Sequence, residues 1–291
     1  MQRPVLGFIG AGKVGQTLAR LWFEHGYRVG AVSSRSAASA EALARQVDAQ
    51  VVPAAHVPAH SDLILLTVPD DQISPVAEML AQQNELTDRG FLHTSGAHEA
   101  LLLAPLAALG AQVGSLHPAF PFADVAVALQ RLPGSTFAYQ AEDAILRAQV
   151  LDLIAAADGQ ALKVSAGQKP LYHAALVLAS NYTVTLYALA EALLLDLGAD
   201  HAAADAALNA LVGGTVENLR QRGIPDALTG PLTRLDLSTV EAHLQALTSH
   251  QPRLAFLYLE LARLSFPMLK ARGVETAPIA ALLSGFAANQ E

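Results

Sequence analysis

Near the start of the chain, Gly10-Ala11-Gly12-Lys13-Val14-Gly15 has the spacing G-x-G-x-x-G. Its position makes it informative. It follows a short apolar run, Val5–Ile9 (VLGFI), and opens a helical stretch from about Lys13 to His25. In a strand–turn–helix unit the first glycine permits the tight turn and the second lets backbone approach a pyrophosphate. The third lets the helix pack on the strand. Free N–H groups and the positive end of the helix dipole then face the phosphates. Such a loop binds a dinucleotide; the bland alternative is an ordinary glycine turn.

The end of the second strand selects the dinucleotide. A ribose 2′-hydroxyl is usually held there by an acidic residue, about 20 residues on. Here the segment reads Ser33-Ser34-Arg35-Ser36, without a carboxylate. Hydroxyls and a guanidinium suit a 2′-phosphate, which a carboxylate would repel. The expected cofactor is NADP(H), held by the six residues of the glycine loop (Gly10, Ala11, Gly12, Lys13, Val14, Gly15) and by Ser33, Ser34 and Arg35.

Hydride transfer from a nicotinamide needs a pocket for the ring, a group that polarises the acceptor and a proton source. Ligands of open α/β sheets sit beyond the carboxyl ends of the strands. Three segments fall there: Val68-Pro69-Asp70-Asp71, His93-Thr94-Ser95-Gly96 and Leu116-His117-Pro118. Val68 and Pro69 are expected at the nicotinamide ribose. Ser95 and His117 are expected to face the cleft, Ser95 in reach of cofactor and substrate alike; helix capping is the alternative for each.

A second constellation is Lys169, His173, Ser180 and Asn181. On a helix, His173 falls about 40° from Lys169, Ser180 about 20° and Asn181 about 120°. Pro170 suits a first helical position, which puts Lys169 at the N-cap. The dipole disfavours a cation there, so its pKa should fall. Lys169 or His173 could protonate the product, with the other binding a substrate carboxylate; the helix could equally be a dimer interface with a few satisfied polar groups. In GPLTRLD, Arg234 could grip a carboxylate bidentately with Asp236 orienting it, or the two could close the loop as an ion pair. His56 and His60 have helical metal spacing, but Pro58 lies between them and no third ligand is evident, so no metal is expected.

The elements that must position these residues alternate over the first half. Strands are expected at Val5–Ile9, Arg28–Val32, Gln50–Val52, Asp62–Val68, Gly90–His93, Gln112–Leu116, Thr136–Tyr139 and Ala161–Val164. Helices are expected at Glu41–Gln46, Ser74–Gln83, Glu99–Leu109 and Asp143–Ala156. This order implies βαβ units and a parallel sheet. After about Ser165 only helical periodicity remains: Pro170–Leu197, His201–Arg222, Ser238–Thr248, Pro252–Arg272 and Ala277–Ala288. Ser238 and Glu241 have capping-box spacing, and Pro267 should kink the fourth helix. The fold class is α/β: a doubly wound parallel sheet over 1–165, then an all-helical domain over 166–291.

Composition agrees. The 291 residues suit about two domains. Hydrophobic residues make up 52% and charged residues only 15%, which disfavours disorder and suggests a surface hidden in an oligomer, most simply a homodimer. A net charge of −8 disfavours nucleic acid and anionic membranes as partners. The absence of cysteine removes disulfides, thiolate metal sites and cysteine nucleophiles. No secretory signal is visible in Met1–Gly10. Ala174–Ala190 is uncharged, but too polar and short for a membrane span, so it reads as a buried helix. A cytoplasmic protein acting on a small molecule is expected.

Several segments in order, GFIGAGKVG, LLTVPDDQI, HTSGA, SLHP, YHAALVLASNY and GPLTRLD followed by His243, make the chain resemble a known group. Its C-terminal half is a domain of unknown function, number 2520. More broadly the chain is similar to deazaflavin-dependent NADP oxidoreductases, pyrroline-carboxylate reductases and ketopantoate reductases. The resemblance implies a Rossmann domain, a helical dimerising domain and an active site between them. It also implies inward-facing polar residues at fourfold spacing, where this chain has Lys169, His173 and, two steps later, Asn181. The chain departs from the pattern twice. Ala119-Phe120-Pro121-Phe122 replaces a longer polar motif, and Leu235 replaces a glycine, so no substrate is carried over. The combined reading is an NADPH-dependent reductase of a small carbonyl or imine carrying a carboxylate, either a ketopantoate-like 2-oxo acid or a cyclic imino acid. Its rival is a non-catalytic NADP(H)-binding sensor or scaffold.

Overall fold

A computed structural model describes residues 3–82 and 86–288. Short apolar runs form eight strands: β1 Leu6–Ile9, β2 Val29–Ser33, β3 Gln50–Val51, β4 Leu63–Leu66, β5 Gly90–His93, β6 Gln112–Pro118, β7 Thr136–Ala141 and β8 Gln160–Lys163. They form one sheet in the order β3-β2-β1-β4-β5-β6-β7-β8. β1 and β4, side by side at its middle, are buried at every residue, as strands covered on both faces must be. The order of travel reverses between them, which opens a crevice at their carboxyl ends.

The alternation predicts a wholly parallel sheet, and one pair departs from it. β7 runs antiparallel to β6, pairing Leu116 with Tyr139 and His117 with Ala138. The chain leaves β6 at Pro118 and re-enters at the same end, where the Ala119 N–H donates to Thr136 O at 2.8 Å. Without a crossover to the opposite edge, the next strand must run back.

The helices of this part are α1 Lys13–Glu24, α2 Ala37–Gln46, α3 Asp70–Leu80, α4 Ala104–Ala107, α5 Val125–Arg131, α6 Ala144–Ala156 and α7 Lys169–Ala179. α2 starts four residues before the expected Glu41, because Ser36 caps it: its Oγ accepts the Ser39 N–H at 3.2 Å. α3 starts at Asp70, not Ser74; the expected last residue, Gln83, lies outside the described residues. The single helix expected over Glu99–Leu109 is a 3₁₀ turn, Ala100–Leu103, followed by α4. α5 was not foreseen; it packs on α1. One core, on one face of the sheet, gathers Phe8, Trp22, Tyr27 and Phe137; another gathers Ile9, Ile64, Ile73 and Phe91.

The chain divides into two compact units, Met1–Thr185 and Leu186–Glu291. α8, Asn181–Asp196, begins in the first and runs through the start of the second. The second unit continues with α9 His201–Arg222, α10 Leu237–His250, α11 Pro252–Leu264, α12 Phe266–Ala271 and α13 Ala277–Ala288. α10 starts one residue before the expected Ser238, and its cap is Asp236, which accepts from the Thr239 N–H at 3.2 Å; the Ser238–Glu241 spacing is not the cap. The break between α11 and α12 falls two residues before Pro267, consistent with the kink that proline predicts.

Two expectations for Pro170–Leu197 need correction. The stretch is interrupted at Ser180, where φ −111° and ψ −69° separate α7 from α8. It is also not buried. Lys169–Asp196 is long and apolar enough by length and composition to cross a membrane, and no part of its most apolar window is covered in the single chain. Apolar composition signals that a face will be covered, but not that this chain does the covering.

Candidate active site

The glycine loop lies at the crevice. Gly10 has φ +117°, and a Cβ there would meet Thr67 O at 2.5 Å. The Thr67 hydroxyl donates to Gly10 O at 2.7 Å, and the Gly10 N–H donates to Ser33 O at 2.8 Å. These bonds tie β1, β2 and β4 together at the turn. A Cβ on Gly15 would collide with Gly10 O, so α1 can approach β1 only without one. Around Gly12, by contrast, a Cβ would meet nothing within 4 Å. Gly12 is the N-cap of α1 and no side chain caps that end. The loop therefore presents open space beside unshielded helix N–H groups, as an incoming phosphate requires.

A groove of about 630 Å³ runs from this loop. Gly10, Ala11 and Gly12 line it, with Ser33, Ser34 and Arg35 at the end of β2 and Val68 and Pro69 beyond β4. Eight of the residues expected to hold a cofactor thus share one cavity. Ser36, Ser39 and Gln72 also line it and were not anticipated. Part of their signal was present, since Ser36 caps α2 by accepting the Ser39 N–H. Lys13, Val14 and Gly15 are not among the lining; Val14 packs against the core instead.

The second constellation forms around the turn after β5. His93 is fully buried, and its Nδ1 accepts the Ser95 N–H at 3.2 Å. Nε2 therefore carries the proton and donates to Glu99 O at 3.0 Å. Burial, with the Lys169 charge nearby, pushes its pKa down to about 4. Ser95 is also saturated. Its Oγ donates to Asp70 Oδ2 at 2.8 Å and accepts from the N–H groups of Ala97 and His98 at 3.2 and 3.1 Å.

Lys169 reaches the same turn. It is fully buried, and Nζ donates to Ser95 O at 2.7 Å. It is the first residue of α7, with Gln168 as N-cap, one place on from the expected position. Its pKa is lowered to about 8, in the anticipated direction. The leading cause is burial, partly opposed by Glu99 and Asp70. Glu99 organises this corner. Its Oε1 accepts from the N–H groups of Gly167 (3.1 Å) and Lys169 (3.3 Å), and Oε2 accepts from Gln140 Nε2. Glu99, Gln140 and Asp70 were not singled out as site residues; nothing in local spacing announces bonds that span 25 to 70 positions.

His117 and His173 converge on Gly96. A Cβ there would lie 2.7 Å from His173 Nδ1 and 2.8 Å from His117 Nε2. Their rings meet edge-on, with centroids 6.2 Å apart. His117 Nδ1 lies 2.8 Å from the hydroxyl of Tyr172, another residue sequence reasoning passed over although it adjoins His173. Burial and the charges of Lys169 and His173 hold the His117 pKa down to about 4, while burial pushes Tyr172 up to about 12. His173 Nδ1 is buried and has no hydrogen-bond partner among the described residues. Both histidines, with Ser180 and Asn181, line a cavity of about 330 Å³ between the turn after β6 and α7.

Arg234 and Asp236 lie in the second unit. Arg234 ends a 3₁₀ turn, Pro231–Arg234, and is exposed. Asp236 is occupied as the cap of α10, and the hydroxyl and N–H of Thr239 and the hydroxyl of Ser238 hold its carboxyl below the usual range. Between them Leu235 has φ +54°, the left-handed region that favours glycine, the residue the resemblance leads one to expect there.

Residues 1–118 match the Rossmann-like domain, and residues 135–265 match the Domain of unknown function DUF2520. Among solved structures, protein TM1727 from Thermotoga maritima is 23% identical over 92% of this chain and 99% of its own, with a TM-score of 0.74. Protein BF3122 from Bacteroides fragilis, assigned as an NADP oxidoreductase, is 23% identical over 90% and 96%, with a TM-score of 0.69. A pyrroline-5-carboxylate reductase from Coxiella burnetii is 15% identical over 93% and 98%, with a TM-score of 0.60. No curated protein matches the sequence. Residues 1–118, whose last strand carries His117, and residues 135–265, whose α7 carries Lys169 and His173, show what this chain has: a Rossmann-like domain joined to a DUF2520 domain.

Proposed function

We propose that the chain is an NADPH-dependent oxidoreductase that reduces a small carbonyl or imine. One observation carries this reading. The groove and the histidine pair are joined by a short run of direct contacts: Pro69 lines the groove, its neighbour Asp70 accepts from Ser95, and the next residue, Gly96, lies against His117 and His173. A dinucleotide fits the groove at Gly12, and Ser33, Ser34 and Arg35 suit a 2′-phosphate. When bound, NADPH supplies the hydride. Of the pocket histidines, neutral His117 hydrogen-bonds the acceptor heteroatom and His173 passes it the proton, with Ser180 and Asn181 beside them. Lys169 holds the Ser95 carbonyl, and its charge disfavours protonation of His93 and His117. The assignment of the Bacteroides fragilis protein as an NADP oxidoreductase and the name of the Coxiella burnetii reductase agree with this class. We also propose a homodimer, because the second unit holds an open apolar groove of about 660 Å³ lined by Leu186, Leu193, Leu247 and Leu257.

The test is titration with both cofactors, then a panel of carbonyls and imines. NADPH should bind at least ten-fold tighter than NADH, roughly 1.4 kcal/mol, and Arg35→Ala should erode that preference. Equal affinities would remove the cofactor argument. Tight NADPH binding with no oxidation across the panel would favour a sensor or scaffold instead.

A further inference from the structure

The cavity beside the histidine pair has a chemistry that the reductase reading leaves open. Its apolar lining comes from Phe120, Pro121, Leu176 and Val177, and its polar lining from His117, His173, Ser180 and Asn181. Among the described residues no lysine, arginine or carboxylate lines it. Lys169 is near, but its ammonium is buried and engaged with Ser95 O. At about 330 Å³ the cavity is at the small end of ligand sites, which run ~300–1,000 Å³.

The hydrogen-bond pattern settles what His117 can offer. Tyr172 stays a phenol at ordinary pH and His117 stays neutral, so the phenol O–H donates to Nδ1. The ring proton must then be on Nε2, the atom packed on Gly96 beside the unpartnered His173 Nδ1. An N–H donor in a half-apolar cavity that no lysine, arginine or carboxylate lines suits a carbonyl oxygen or imine nitrogen. A carboxylate would lose its hydration there and find no lysine or arginine. The Phe120 ring, set edge-on to Phe122 at 5.4 Å, adds an aromatic wall.

We infer that this cavity receives the uncharged, apolar end of the substrate, with the reacting heteroatom hydrogen-bonded to His117 Nε2. The inference rests on the reductase reading only for the identity of the reacting group. The experiment is a ligand-observed NMR titration of the NADP-loaded protein with acetophenone and with phenylglyoxylate, which differ by a carboxylate in place of a methyl. Acetophenone should bind at least ten-fold tighter. Val177→Arg, which puts a cation into the cavity, should reverse the order while NADPH affinity stays at the wild-type value. Equal affinities, tighter phenylglyoxylate binding, or no detectable binding of either on the wild-type protein would overturn the inference. NADPH oxidation with the same pair reads the reductase proposal separately. Selective acetophenone binding without oxidation overturns that proposal and supports this one; oxidation that prefers phenylglyoxylate does the reverse.

Discussion

At the scale of single residues, the site is held by neutral and buried groups that acid will disturb. His93 has both ring nitrogens bonded inside the protein and a pKa near 4. In the unfolded chain it takes a proton near pH 6.5, its ordinary value. The unfolded state therefore gains the proton first as pH falls. The stability from neutral His93 is complete above about pH 6.5 and is lost progressively down to about pH 4. The loss amounts to about 3 kcal/mol for His93, and His117 acts in the same direction. Urea unfolding should show at least ~2 kcal/mol less stability at about pH 4.5 than at about pH 7. A ring-proton NMR titration in which His93 protonates near its ordinary value would sink the argument. HTSGA advertised this histidine, but only its partners show that it holds the turn while His117 and His173 face the cavity.

At the scale of elements, the strand–turn–helix unit assigns different work to glycines that look alike in sequence. Gly15 keeps α1 against β1, where a Cβ would strike a carbonyl that β1 cannot withdraw. Gly12 faces open space. Gly15→Ala should cost about 1–3 kcal/mol of unfolding free energy, the usual price of overpacking, and weaken NADPH binding through the displaced loop. Gly12→Ala should leave stability within ~0.5 kcal/mol yet lower NADPH affinity at least ten-fold, because its methyl would occupy the phosphate's approach. Paired urea and fluorescence titrations separate the two. Equal loss of stability in both variants would mean that Gly12 is structural too. The motif and its neighbours make this unit legible in the sequence. The caps were less so: Ser36 and Asp236 each moved a helix start away from its expected residue, since capping is decided by a hydroxyl or carboxylate one turn ahead of the apolar pattern.

At the scale of the whole molecule, Leu178, Val184 and Leu186 on α7 and α8 are 63%, 69% and 42% exposed in the single chain. Exposing such a face is costly in water, and a second copy would remove that cost. Light scattering at micromolar concentration should give twice the chain mass, and Leu186→Glu should shift it toward the monomer; a monomeric wild-type protein would refute the proposal. Legible along the chain were the alternation of strand and helix, the glycine loop with its Ser33–Arg35 companion, and the change to helices after the last strand. These follow from local periodicity, turn chemistry and short-range spacing, which the chain carries in order. Packing alone sets β7 antiparallel, ties Lys169 to Ser95 O, brings Glu99 to the start of α7 from 70 positions away, and seats His117 against Tyr172 and His173 over Gly96. Each depends on groups far apart in sequence that meet only when the sheet and α7 come together, and no local pattern records which distant partner will satisfy a buried polar atom.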